Sequence, residues 1–215
     1  MSIHKNGIVK QNRFSNTGIL DNMEIKYFDN AVWAKVLEHN NRAGTVLFTT
    51  IDEVKYSNTV DKYSRIKSLS SFKAADGKIE FLLEYPDDLA GKYNRWKQTH
   101  NPIDEFVAET TAGTGTATGY EAVHIDWSVN YWGGIARQSS DAMAFNNTYL
   151  DGSVGHSNWY YAIGSKSAFG GGIPGPSAAI FGRVQLWARI DTLPNETKCR
   201  ITKNGCMVAN DFYEF

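Results

Sequence analysis

The sequence predicts a mainly β protein: an antiparallel β-sandwich or jelly-roll-like domain with one or two short helices and a β-hairpin at each terminus. Three observations lead to that class. Aromatic residues make up 13% of the 215 residues (6 Trp, 11 Tyr, 11 Phe), and large rings favour the pleated, half-buried surface of a strand. The 19 Gly supply turns, while only 5 Pro are present to interrupt strands. Several segments alternate apolar and polar residues with a period of two. At 42% hydrophobic content the chain can fill a core, and its length suits one domain with small appendages. The division read from the sequence is a connector hairpin over 1–18, an aromatic-rich β-domain over 19–195 and a C-terminal hairpin over 196–215.

The two ends resemble one another. Aligning Ile3 with Ile201 matches Ile, Lys, Asn, Gly, Asn and Phe within twelve positions. Asn6-Gly7 and Asn204-Gly205 suit the two positive-φ positions of a type I′ turn, so each end reads as a hairpin. A turn at Asn204-Gly205 would set Lys203 opposite Cys206, Ile201 opposite Val208 and Cys199 opposite Asn210. A lone hairpin is barely stable in water. It either completes the domain's own sheet or acts as a connector between subunits. On the second reading Asn6, Gly7, Phe14, Asn204, Gly205 and Phe212 are assembly contacts.

Between the ends, 33–39 and 45–51 are apolar-rich runs bracketing Asn40-Asn41-Arg42-Ala43-Gly44, which predicts a hairpin with a five-residue loop. Tyr63, Ile66, Leu69 and Phe72 fall at helical spacing and predict a short amphipathic helix over 61–73. Asp76-Gly77 turns the chain into a strand. On it Ile79, Phe81, Leu83 and Tyr85 share one face, with Glu80 and Glu84 on the other. Residues 110–119 read as a surface loop, because their Gly-Thr-Gly lacks the strand–turn–helix context and the Lys of a phosphate loop. Next, Glu121, Val123, Ile125, Trp127 and Val129 form one face of a strand whose other face carries His124 and Asp126. Further strands are predicted over 158–163 and 184–190, the latter with Val184, Leu186, Ala188 and Ile190 inward. Residues 170–176 read as an irregular loop.

The formal net charge of −1 gives no electrostatic case for nucleic acid or an anionic membrane. The sequence contains neither a run of 18 apolar residues nor a signal-peptide core, so a soluble protein made in the cytoplasm is expected. Cys199 and Cys206 fit neither a CxxC motif nor zinc-ligand spacing. No cofactor and no metal ion are predicted.

Chemistry offers few catalytic candidates. His124 and Asp126 share a strand face and could orient a base or a cation, or form a satisfied surface pair. Asp87-Asp88 and Asp104-Glu105 lack the alternating acids of a calcium loop. Glu80, Glu84, Glu121 and Asp126 could supply a glycosidase's two carboxylates, but no signature arranges them around one cleft. The expectation is therefore no catalytic residue. The loop aromatics point elsewhere. Tyr131 and Trp132 lie in a turn, and Asp151, His156, Asn158 and Trp159 cluster beside a Gly-rich loop. Aromatic platforms with neighbouring hydrogen-bond partners suit a glycan site. The same rings could instead plug the open end of a sandwich or form a subunit contact.

Four stretches carry a resemblance. They are Tyr93-Asn94-Arg95-Trp96-Lys97-Gln98-Thr99, His124-Ile125-Asp126-Trp127, Gly155 through Gly164, and Gly172-Ile173-Pro174-Gly175-Pro176. Together, over roughly residues 30–192, the chain resembles an uncharacterised aromatic-rich domain of gut bacteriophage structural proteins, crAss-like phages included. The terminal Lys-Asn-Gly hairpins resemble segments that begin or end phage fibre and tail proteins. The resemblance implies a virion component: a head fibre, a capsid decoration or a tail-associated fibre. It also implies a symmetric homo-oligomer, a trimer or dimer, that contacts other virion proteins; a host surface polysaccharide joins these partners if the loop aromatics bind glycan. Alternatives are a lectin-like module outside any virion and, further off, a glycoside-active enzyme. Over residues 33–85 the order hairpin, helix, strand is similar to fibrinogen-like lectin domains, by analogy only.

Overall fold

The computed structural model describes residues 7–10, 23–105, 115–127, 132–137, 148–154, 160–167, 169–190, 200–202 and 205–207. The chain is mainly β, with antiparallel sheets and only short helices. Strands are numbered along the chain. The main path of a nine-stranded sheet runs β1 (Gly7–Lys10), β2 (Glu24–Phe28), β3 (Ala31–Asn40), β13 (Arg183–Arg189), β6 (Ile79–Glu84), β7 (Tyr93–Gln98) and β8 (Glu121–Ile125). Beyond β2, the end of β3 pairs with β5 (Lys62–Ser64), which pairs in turn with β4 (Ser57–Asn58). Two-stranded sheets form from β9 (Thr148–Leu150) with β10 (Ile163–Ser165) and from β11 (Ile173–Pro174) with β12 (Ile180–Phe181).

One face of the main sheet holds the core. Val36 and Leu37 of β3, Val184, Leu186 and Ala188 of β13, Phe81 and Leu83 of β6, and Trp96 of β7 are fully buried there. The inward faces predicted for 79–85 and for Val184, Leu186 and Ala188 are those observed. Against them pack Phe48, Leu69, Ile135, Leu150, Tyr161, Ile163, Ile173 and Phe181 from the loop-rich second layer. Two core-facing polar residues of β7 fasten that layer. Asn94 exchanges two 3.0 Å hydrogen bonds with the backbone of Trp127, and Gln98 bonds both N–H and C=O of Ile135 at 3.1 and 2.9 Å. Buried amides placed this way satisfy loop backbone that no strand pairs.

Local chemistry explains several boundaries. Asp29 and Asn30 both take positive φ, 47° and 55°, in the two-residue turn joining β2 to β3, a conformation that short polar side chains tolerate best. Helix α1 (Ile51–Lys55) begins where the Thr50 hydroxyl accepts the Glu53 N–H at 3.2 Å, while the Glu53 carboxylate accepts the Thr49 N–H at 2.7 Å. Among the described residues no helix is long and apolar enough to cross a membrane.

Four sequence expectations need correction. Residues 45–50 are irregular and Ile51 opens α1, so 33–39 and 45–51 are not a hairpin; β3 pairs instead with β2, β13 and β5. Tyr63 lies in β5, and Ile66–Phe72 is a 3₁₀ helix burying Ile66, Leu69 and Phe72. A spacing of three matches the 3₁₀ period better than the α period. On β8, Glu121 and Val123 are exposed, Val123 at 43%, because β8 is the last strand of its path and bulges against β7. At the C-terminus β14 (Arg200–Thr202) does pair with β15 (Gly205–Met207), but Thr202 faces Gly205 and Ile201 faces Cys206. This register differs from the expected one, since a two-stranded hairpin specifies its register weakly. At the N-terminus β1 pairs along β2, Gly7 opposite Tyr27 and Lys10 opposite Glu24. Cys199 lies outside the described residues, as do 110–114, 128–129 and 158–159 of the predicted loop and strands.

Candidate functional site

Alternation that sends apolar residues into the core sends a different set outward. The outward residues are Glu24, Lys26 and Phe28 on β2, Trp33, Lys35 and Glu38 on β3, Arg183, Gln185, Trp187 and Arg189 on β13, Glu80, Leu82 and Glu84 on β6, and Tyr93 and Arg95 on β7. Nearly all are charged or aromatic. They interlock. Glu80 accepts from Arg95 Nε and, at 2.7 Å, from Arg189. Lys35 donates to Glu38 and, at 2.6 Å, to Glu24. Glu38 also accepts from Arg183 at 2.8 Å and Gln185 at 2.9 Å. Glu84 accepts from Lys26 Nζ at 2.6 Å and from Trp187 Nε1 at 2.7 Å on the same oxygen.

This face is concave. Phe28 on β2 and Tyr93 on β7 are four strands apart along the sheet, a separation of about 19 Å if the sheet were flat. Their ring centroids are 4.9 Å apart, edge to face. Likewise Arg95 of β7 reaches Asp29 in the β2–β3 turn at 2.5 Å. The sheet curls toward these residues and encloses a small second core of Ala31, Trp33, Leu82 and Trp187. Beside it opens a groove of about 350 Å³ with Lys26, Phe28, Glu84, Lys92, Tyr93, Arg183, Gln185 and Trp187 in its lining.

The groove's electrostatics follow from burial. Lys26 is 8% exposed, and burial lowers its pKa against the pull of Glu84. Its ammonium sits 4.1 Å from the Trp187 ring centroid, a cation–π contact that helps hold the charge. Burial would raise Glu38, but Lys35, Arg183 and Gln185 together bring it below the ordinary carboxylate range. The Tyr93 hydroxyl is raised by burial and by Asp29. His124 stacks on Tyr93 at 4.3 Å and pairs with Asp126 at 3.3 Å, so the predicted shared face of that pair is observed at the rim. Among the described residues no three of His, Cys, Asp and Glu gather as a metal site.

The residues singled out in the sequence lie elsewhere. Trp132 is 9% exposed and packs edge-on between Trp96 at 4.8 Å and Tyr161 at 4.9 Å. The fit is close: a Cβ on Gly152 would fall 2.4 Å from the indole. Asp151 is fully buried beside it, accepts the Ser153 N–H at 2.6 Å, and burial raises its pKa well above the ordinary value. Both therefore face the interior, where the curled second layer closes on Trp96. Tyr131, His156, Asn158 and Trp159 lie outside the described residues, as do Asn6, Phe14, Asn204 and Phe212. Gly7 and Gly205 begin β1 and β15. The turn acids have structural partners: Asp87 pairs with Arg42 at 2.6 Å, Asp88 accepts the Gly182 N–H at 3.2 Å and Glu105 accepts the Thr118 N–H at 2.5 Å.

Lys26, Phe28, Lys92, Arg183 and Trp187 were not site candidates from sequence. The available signal was Arg183-Val184-Gln185-Leu186-Trp187-Ala188-Arg189, where strict alternation puts a Trp among the polar, outward residues. No family model, no curated protein and no solved structure matches this chain.

Proposed function

We propose that this chain is a non-enzymatic structural and recognition protein of the virion-appendage kind, a head fibre, capsid decoration or tail-associated fibre component, and that its concave sheet face contacts a host-surface saccharide. The observation that carries the recognition reading is the groove. It is concave, of small-ligand volume, walled by Phe28 and Tyr93, and Lys26, Glu84 and Arg183 in it are fixed by ion pairs before any ligand arrives. Aromatic walls with a few preset polar groups are what a saccharide site requires. The virion reading is supported by the resemblance of residues 30–192, and a trimeric or dimeric assembly belongs to it.

The carboxylates of this face support binding over catalysis. Glu80, Glu84 and Glu38 each accept at least two donors. For Glu38 these contacts bring the pKa below the ordinary carboxylate range, the opposite of the raised value a general acid needs.

The test has two arms. Quantitative proteomics of purified phage particles should find the protein at a stoichiometric level; its presence only in lysate supernatant would end the virion reading. Recombinant protein should be retained on bacterial capsular polysaccharides and should lose retention on Tyr93→Ala with little change in melting. Retention unaffected by Tyr93→Ala would remove the groove from the reading.

A further inference from the structure

We infer that the groove selects acidic saccharides, sugars bearing a carboxylate, over neutral ones. The inference rests on the proposed saccharide reading and names the ligand class of the same site.

Charge in the groove is lopsided. Its lining holds three cationic side chains, Lys26, Lys92 and Arg183, and one carboxylate, Glu84. One oxygen of that carboxylate is engaged, because Lys26 and Trp187 both donate to its Oε1 at 2.6 and 2.7 Å. Gln185 uses its amide N–H on Glu38 at 2.9 Å. Arg183 contacts Glu38 through Nε at 2.8 Å and approaches Asp87 through Nη1 at 3.7 Å, and neither contact uses Nη2. Lys92 is exposed and has no ion-pair partner among the described residues. What the groove has left to offer a ligand is therefore two cationic donors, Lys92 and Arg183 Nη2, beside the acceptors Glu84 Oε2 and Gln185 Oε1.

A neutral sugar presents hydroxyls, which accept from these donors only through uncharged oxygens. A sugar carboxylate presents only acceptors and forms the stronger, charge-assisted hydrogen bonds. Ring geometry limits the ligand further. Phe28 and Tyr93 meet edge to face at 4.9 Å and both are only half-buried, so the ring surface left open forms an apolar ledge for the C–H groups of a pyranose. A bare anion such as phosphate or sulfate would not use that ledge. The volume of about 350 Å³ lies at the lower end of the range for small-ligand sites, which suits a short stretch of polysaccharide.

Calorimetry on the full chain tests this with α-1,4-linked tetragalacturonate and its carboxyl-reduced galactose counterpart, each at low and high salt. The acidic ligand is expected to bind at least about tenfold more tightly, with the margin shrinking as salt screens it. Lys92→Glu, an exposed substitution whose melting temperature should match wild type, should abolish the preference for the acidic ligand. Equal affinity for the two ligands, or a preference unchanged by Lys92→Glu, overturns the acidic selectivity and leaves saccharide recognition standing. Binding of neither ligand, nor of any capsular polysaccharide, overturns both. Inorganic sulfate competing as well as the tetrasaccharide would reduce the site to an anion site and also overturn the inference.

Discussion

On one side of β6, Ile79, Phe81 and Leu83 lie among rings and branched chains, Phe81 stacked on Trp96 with centroids 5.3 Å apart. One residue away along the same strand, Glu80 and Glu84 lie among Arg95, Arg189, Lys26 and Trp187. Both sides are removed from water, Glu80 to 3% exposure. The means differ. The core face excludes water through contacts that are non-directional and proportional to area. On the concave face water is excluded because each charge has its partner within hydrogen-bond reach, so every group depends on the register of its neighbours. The first face gives bulk stability, and the second gives a fixed shape.

The comparison can be broken most sharply at Trp96. Replacing Trp96 with Ala should cost about 3–5 kcal/mol in urea unfolding, with little dependence on salt. A loss of that size only at high salt would contradict an apolar origin for that face.

The next effect concerns pH. His39 lies on the core side of β3, donates its Nε2–H to Val46 O at 2.7 Å, and is pushed down to about 4 chiefly by burial. Its unfolded value is about 6.5, so folding favours the neutral ring. That stabilisation is complete above about pH 6.5 and is lost as pH falls toward 4, a loss of about 3 kcal/mol. His39→Gln should flatten this acid slope; an unchanged slope would assign it to other groups.

On the concave face, Glu80→Gln leaves Arg95 and Arg189 without their shared counter-charge. Roughly 2 kcal/mol should be lost, and part should return at high salt. A cost independent of salt would make Glu80 a packing residue like those across the strand. The smallest effect belongs to the rim. Lys78 and Glu121 pair at 3.0 Å with both side chains well hydrated, and Glu121→Gln should leave the urea midpoint unresolved from wild type.

How much of this was legible beforehand varies by segment. The faces of 79–85 and 184–190 could be read directly, because these strands are central and their alternation maps onto core and concave sides. Residues 45–50 misled because Val46, Leu47 and Phe48 look like a strand. They are held instead by single capture points, Asn41 Oδ1 accepting the Val46 N–H at 2.8 Å and the Phe48 N–H reaching Ser165 O at 3.0 Å. Neither contact leaves a periodic pattern, and the second spans 117 residues of chain. The groove was illegible for the same reason. Lys26 meets Glu84 across 58 residues, and Phe28 meets Tyr93 only because the sheet curls. Trp132 and Asp151 stood out in two separate loop clusters, yet aromatic and acid content cannot distinguish a ring in a turn from one driven beneath it.

Strand β3 carries a change of phase. Leu186 pairs with Leu37 and Trp187 with Lys35, which leaves Val36 as an extra residue in a bulge. Before it, odd-numbered Trp33 and Lys35 point to the concave side; after it, odd-numbered Leu37 and His39 point to the core. The extra step is what brings Lys35 and Glu38, three residues apart, onto one face, and it frees the Val36 carbonyl to accept the Arg65 N–H at 2.8 Å just ahead of the 3₁₀ helix. In hereditary terms, this position tolerates a change of letter far better than a change of length. Losing Val36 altogether would put the parity of one half of β3 at odds with the other, sending a lysine toward the core or a leucine and a histidine toward the groove. Among descendants of this sequence, chain length across residues 33–39 should therefore drift more slowly than the residues themselves.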